Sequence, residues 1–211
     1  MTFTDRHQAG TLLAEKLSSY RASGAIVVGL ARGGMVAGAA VARTLALPLD
    51  VLVVKKIGSP FESELAIGAV APDGISVIDW RMGHRAGADE EYIKTQTAQL
   101  SGQIKQKVLL YRKDRKFLSL KDKTVILVDD GAATGITMEV AIKWVRTKGA
   151  KKIVVAWPVA PPDTVAKIKP EVAEVVALDT PENLGSVGQF YQEFGQVEDA
   201  EVVELLKDSK S

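Results

Sequence analysis

The chain has 211 residues, 46% of them hydrophobic and 25% charged, a globular composition that excludes disorder, collagen and coiled coil. Its 27 Lys plus Arg balance 26 Asp plus Glu for a formal charge of +1, so no bulk field would hold a nucleic acid or an anionic membrane, and any anion must be bound locally. The absence of Cys removes disulfides, thiolate nucleophiles and cysteine-built metal sites, and the two histidines, His7 and His84, are far apart.

The opening residues MTFTDRHQAG read as a polar helix start rather than a signal peptide, and no apolar run approaches the roughly 20 residues that span a bilayer. A cytoplasmic protein is expected, built as one domain over residues 1–211. Ala9, Leu12, Leu13, Leu17 and Tyr20 share one face of a first helix that Thr4 or Asp5 could cap. A strand at 25–30 runs through Ala31, Arg32, Gly33 and Gly34 into a small-residue helix at about 36–45. A second strand at 50–54 ends in Lys55 and Lys56, and residues 57–65, with Gly58, Ser59 and Pro60, read as a loop. Two strand-like pieces at 66–71 and 75–80, separated by Pro72, Asp73 and Gly74, predict a hairpin.

From 89 to 112, Ile93, Leu100, Ile104, Val108 and Tyr111 recur at helical spacing. A β-branched strand at 124–128 leads through a turn at 129–135 into a helix whose inner face is Met138, Ala141, Ile142 and Val145, ended by Gly149. Strands follow at 152–157 and 174–178, with Pro161 and Pro162 opening a short helix between them. The tail at 184–194 is rich in Gly, Gln and aromatics, and 200–206 reads as a last helix. Strands alternating with helices predict the α/β class, a parallel sheet flanked by helices.

The stretch VILVDDGAATGITM at 125–138 carries the most chemistry. A parallel strand ends at the sheet edge where ligands bind, which places Asp129 and Asp130 at that edge. The small residues Gly131, Ala132, Ala133, Thr134 and Gly135, followed by Ile136 and Thr137, leave backbone amides unshielded at a helix start, a phosphate site. Carboxylates beside it suit sugar hydroxyls, so the implied ligand is a phosphorylated sugar. The bland alternative, a plain strand–turn–helix with Asp130 as a cap, requires the apolar strand, the acid pair and the Gly/Thr turn to coincide by accident. Lys55 and Lys56 are more often solvated strand-end residues, and the run Arg112, Lys113, Arg115, Lys116 reads as a solvated helix end. No G-x-x-x-x-G-K-[ST], G-x-G-x-x-G or G-x-S-x-G motif occurs.

The 125–138 segment resembles the phosphoribosyl-pyrophosphate signature of type I phosphoribosyltransferases, and the resemblance extends in order through nearly the whole chain. It implies that fold, with a small hood from residues 180–211 and the N-terminal segment. Ala31 to Gly34 would be the pyrophosphate turn, and Lys56 to Leu65 the flexible loop that covers the site. KIGSPFESELAIGAV and the aromatic tail are similar to a group of phosphoribosyltransferases whose acceptor is generally unassigned.

The implied reaction displaces pyrophosphate from C1 of ribose by a nitrogen nucleophile. Arg32, with the amides of Gly33 and Gly34, and Lys55 or Lys56 would hold the diphosphate. Asp129 and Asp130 would hold the ribose hydroxyls directly or through Mg²⁺, the implied cofactor. Trp157, Phe190 or Tyr191 could stack on the acceptor. Hypoxanthine-guanine members carry an aspartate at the position matching Ala133, so a 6-oxopurine acceptor is disfavoured. The rival reading is a donor-sensing regulator without transfer, and a third is a hydrolase of this fold or a transferase to a non-base acceptor such as an amine or ammonia. Family members are commonly dimers, and a homodimer would explain Trp144 and the exposed aromatics.

Overall fold

In the computed structural model, residues 1–113 and 115–209 are described. The elements are α1 (Arg6–Lys16), β1 (Ile26–Ala31), α2 (Gly33–Leu45), β2 (Leu49–Val53), β3 (Lys55–Gly58), β4 (Ala66–Val70), β5 (Ser76–Ile78) and α3 (Trp80–Arg85). They continue with α4 (Glu90–Arg112), β6 (Thr124–Val128), α5 (Ile136–Thr147), β7 (Lys152–Val159), α6 (Pro162–Ile168), β8 (Glu174–Asp179) and α7 (Asp199–Asp208).

Five strands form a wholly parallel sheet in the order β2-β1-β6-β7-β8. Side chains alternate between its faces. Val27, Ile126, Val128, Val154 and Ala156 join the core under α1, α2, α4 and α7, while Ile26, Val28, Val125, Leu127, Ile153, Val155 and Trp157 join the core under α5 and α6. Both faces are therefore buried, which is why these strands read as continuous apolar runs. The chain winds outward in opposite directions from β1 and from β6. This reversal opens a crevice at their carboxyl ends, the place where open α/β sheets bind ligands.

The remaining strands, β3, β4 and β5, make an antiparallel sheet that includes the expected hairpin. Here the expected elements shift. The loop predicted from 57 begins only after Gly58, because Lys55 to Gly58 pair with β4. The second hairpin strand stops at Ile78, because Asp79 caps α3 through Met82 N. The first helix ends at Lys16 and continues as a 3-10 turn at Ser18–Tyr20.

The packing of α1 on α2 positions the site. A Cβ on Gly10 would lie 2.4 Å from the carbonyl oxygen of Ala37, so the two helices approach as closely as backbones allow. With Asp5 capping α1 through Gln8 N, the first turn of that helix is carried to the carboxyl edge of the sheet. Residues 190–193 run alongside the N-terminus, with Phe3 N donating to the Phe190 carbonyl and Gln192 N to that of Phe3.

Several aromatic expectations are corrected. Trp157 lies within an eight-residue strand rather than at its end and is fully buried, so it cannot stack on a ligand. Trp144 is likewise in the core, in contact with Phe117, and lends no support to a dimer. Arg112 is buried rather than solvated. It pairs with the buried Asp50 and lies 3.2 Å over the Phe117 ring, tying α4 to β2.

Candidate functional site

The two segments singled out in the sequence meet at the crevice between β1 and β6. A Cβ on Gly34 would lie 2.7 Å from the Val128 carbonyl oxygen and 2.8 Å from Asp129 Cα. Only residues without side chains let the turn after β1 lie against the acids after β6. The Ala31–Arg32 peptide in that turn is cis.

The turn after β6 is open. Ala133 and Thr134 are exposed. Among the described residues, none accepts a hydrogen bond from the amides of Gly131, Ala133, Thr134, Gly135, Ile136 or Thr137, while that of Ala132 is used by Val159. Gly135 has φ +74° and carries the chain into α5 without a side-chain cap, so the first helical amides keep their full hydrogen-bonding capacity. Thr164 on α6 donates its hydroxyl to the Ala133 carbonyl at 2.6 Å and fastens the middle of the turn. This arrangement of amides, helix start and neighbouring hydroxyls suits a phosphate dianion.

The acids differ in their surroundings. Asp129 accepts the Asp130 amide through Oδ1 at 2.9 Å. Burial, and then the adjacent Asp130 carboxylate, push its carboxyl well above the ordinary value, while the Asp130 amide and Lys56 draw it back only in part. Asp130 is clasped by Arg6, which the sequence did not single out, and by Tyr191, which it singled out for a different role. Arg6 Nε donates to its Oδ2 at 2.7 Å, and the Tyr191 hydroxyl donates to its carbonyl at 2.6 Å. Tyr191 is buried, which raises its hydroxyl pKa, and it braces the acid instead of facing an acceptor.

The cations divide. Lys56 is the lysine that acts on Asp129, while Lys55, one residue earlier, sits on the opposite face of β3. Arg32, the N-cap of α2, has Nη1 3.8 Å from Asp199 Oδ1, and Asp199 also accepts from Lys107 and Tyr111. Neither Arg6 nor Asp199 carries a local sequence signal. One is a single basic residue in a polar first turn, the other an acid opening a terminal helix, and only the fold brings them to the site.

The loop after β3 is anchored at its base. Ser59 N donates to the Leu65 carbonyl, the Ser59 hydroxyl bonds Glu62, and Tyr92 donates to the Gly58 carbonyl. Phe61 at its tip is 89% exposed. No helix among the described residues is long and apolar enough to cross a membrane.

The family model of the phosphoribosyl transferase domain matches residues 6–193. A Mycobacterium tuberculosis protein named "Putative phosphoribosyl transferase" is 38% identical over 204 residues, covering 97% of this chain and 46% of that protein. The chain thus spans about half the length of the curated relatives it matches. The crystal structure of TT1426 from Thermus thermophilus has 39% identity and a TM-score of 0.83, with all of both chains covered. A purine phosphoribosyltransferase from Pyrococcus horikoshii shares the fold at 24% identity and a TM-score of 0.52, with 92% of both chains covered.

Proposed function

The chain belongs to the phosphoribosyl transferase family, and on that premise we propose that it moves ribose 5-phosphate from phosphoribosyl pyrophosphate to a nitrogenous base. The observation that carries this reading is the juxtaposition of unpartnered amides at 131–137 with the acid pair at one sheet edge. The amides and the start of α5 would take the 5-phosphate, and the carboxylates would accept from the ribose hydroxyls.

A nitrogen of the acceptor forms a bond to C1 as the bond from C1 to the diphosphate oxygen breaks, and the electron pair leaves with pyrophosphate. Positive charge builds on the ribose and negative charge on the leaving group. Asp129 and Asp130 stabilise the first, and Arg32 with the Gly33 and Gly34 amides the second. Lys56 adds a point charge, and Lys55, on the other face of its strand, is the weaker candidate. With Ala133 following the acids, no side chain at that position serves as a base, which disfavours a 6-oxopurine acceptor.

Mg²⁺ fits this donor set. Among the described residues, no cluster of three or more His, Cys, Asp or Glu side chains could hold an ion alone, but two carboxylates beside a diphosphate are what this hard cation takes. Asp129 and Asp130 would hold it with substrate oxygens, and when bound it neutralises diphosphate charge. Homodimerisation and a cytoplasmic location belong to the same proposal.

The test is pyrophosphate release from phosphoribosyl pyrophosphate with Mg²⁺ and a panel of nitrogenous bases. Release that needs both a base and the intact acid pair is expected. Binding of the donor without release in any mixture would contradict transfer.

A further inference from the structure

Arg6 is the least expected residue at the acid pair. It makes three engagements in three directions: Nε to Asp130 Oδ2 at 2.7 Å, Nη1 to the Gly195 carbonyl at 2.9 Å, and its guanidinium carbon 3.7 Å from the centre of the Phe194 ring. Its partners lie 124 and 189 positions away, so the contacts exist only because the fold is complete. The Arg6 and Asp130 side chains are 11% and 17% exposed, which removes the pair from the class of surface ion pairs worth almost nothing.

We infer that Arg6 is a positioning residue of the donor site, aiming the Asp130 carboxylate at the ribose and clasping the 194–195 segment beside it. This rests on the transferase reading for the identity of the ligand. With Oδ2 held by Arg6, the Asp130 carboxylate is fixed in one orientation beside Asp129 at the edge where a sugar hydroxyl would donate to it. Its backbone is held as well, through the Tyr191 hydroxyl on the Asp130 carbonyl. Tyr191 in turn stacks on Phe194 at 4.9 Å, so the ring under the guanidinium and the tyrosine that braces the acid form one unit.

The chemistry calls for arginine. A planar fork can donate in two directions while its face lies on an aromatic ring, whereas a lysine is a single point charge on a flexible stem. Carboxylates that bind substrate are most effective when a neighbouring residue holds their rotamer, and Arg6 supplies that hold from a helix locked against α2 at Gly10. The tail segment from 190 to 197 thereby becomes part of the donor site's support and not merely a cover.

The experiment compares the full-length wild type with R6Q and R6K, the second guarding against a folding defect in the first. Amide hydrogen exchange of residues 190–197 is measured without ligand, and phosphoribosyl pyrophosphate with Mg²⁺ is titrated calorimetrically. Loss of a charged hydrogen bond predicts faster exchange in that segment and about tenfold weaker donor binding in R6Q. R6K, keeping the charge but not the fork, recovers part of the affinity while the segment stays fast. Exchange and affinity unchanged in both variants would overturn the assignment. A wild type that does not bind the donor would overturn the transferase reading instead, and the exchange comparison would still decide whether Arg6 clasps the segment.

Discussion

A Cβ built on Gly33 would lie 1.8 Å from Oδ2 of Asp130, the same oxygen that accepts from Arg6 Nε. The first residue of α2 and the second acid after β6 thus share one small volume. Alanine at 33 would push the carboxylate out of that volume and away from Arg6. The expected result for G33A is a stability loss of about 1–3 kcal/mol from overpacking. Donor affinity should fall at least about tenfold, or ~1.4 kcal/mol. Urea denaturation and calorimetric titration check the two parts, and wild-type affinity in G33A would show that Asp130 can move without consequence.

Asp129 predicts a conflict between stability and function. Burial and the Asp130 charge raise its folded pKa above the ordinary 3.8, so the folded state prefers the protonated carboxyl. Its contribution to stability is full below 3.8, where it is protonated folded or unfolded, and is lost as pH rises through the raised folded value. D129N, a neutral isostere that keeps an oxygen for the Asp130 amide, should melt higher than wild type at neutral pH. The gap should close toward pH 4. It should also bind the donor more weakly, the usual exchange of activity for stability at a functional site. Melting curves across that pH range decide it, and an Asn variant less stable at neutral pH would contradict the reading.

Thr164 gives a gentler test of the phosphate turn. T164V removes the 2.6 Å bond to the Ala133 carbonyl while keeping the shape of the side chain. A stability loss of about 1 kcal/mol is expected. A severalfold weakening of donor binding should accompany it, as the turn between Asp130 and α5 loosens. Unchanged donor affinity would mean the turn holds its form without α6.

Much of this was legible in the amino-acid order, and the limits were physical. The parallel strands were readable because both their faces are apolar, and the 125–138 segment because strand, acids and small residues are adjacent in the chain. Lys55 and Lys56 were placed near the site, but strand alternation, invisible until β3 paired with β4, separates their roles. Arg6, Thr164 and Asp199 were missed because their partners lie far off in sequence. The assignments of Trp157 and Tyr191 failed for a related reason. A tryptophan at a strand end or a tyrosine in the tail looks the same whether it faces ligand or core, and Trp157 and Tyr191 face inward.

Away from the site, the buried pair of Asp50 and Arg112 supplies a structural control. Asp50 also accepts the Leu118 amide at 2.9 Å, so it joins β2 both to α4 and to the segment leading into β6. Removing one partner leaves a buried charge alone, and D50A should cost about 3–5 kcal/mol in urea denaturation. Replacing both, as in D50L with R112M, should cost much less. A double variant no better than D50A would show that the pair is net stabilising and not merely self-compensating.

The central claim is that the acid pair and the open amides beside it bind phosphoribosyl pyrophosphate. Isothermal titration of wild type and of the D129N/D130N double variant with this donor and Mg²⁺ tests it most directly. Saturable binding by the wild type that is lost in the double variant is the predicted result. Equal affinity in the two proteins would place the donor somewhere other than between β1 and β6.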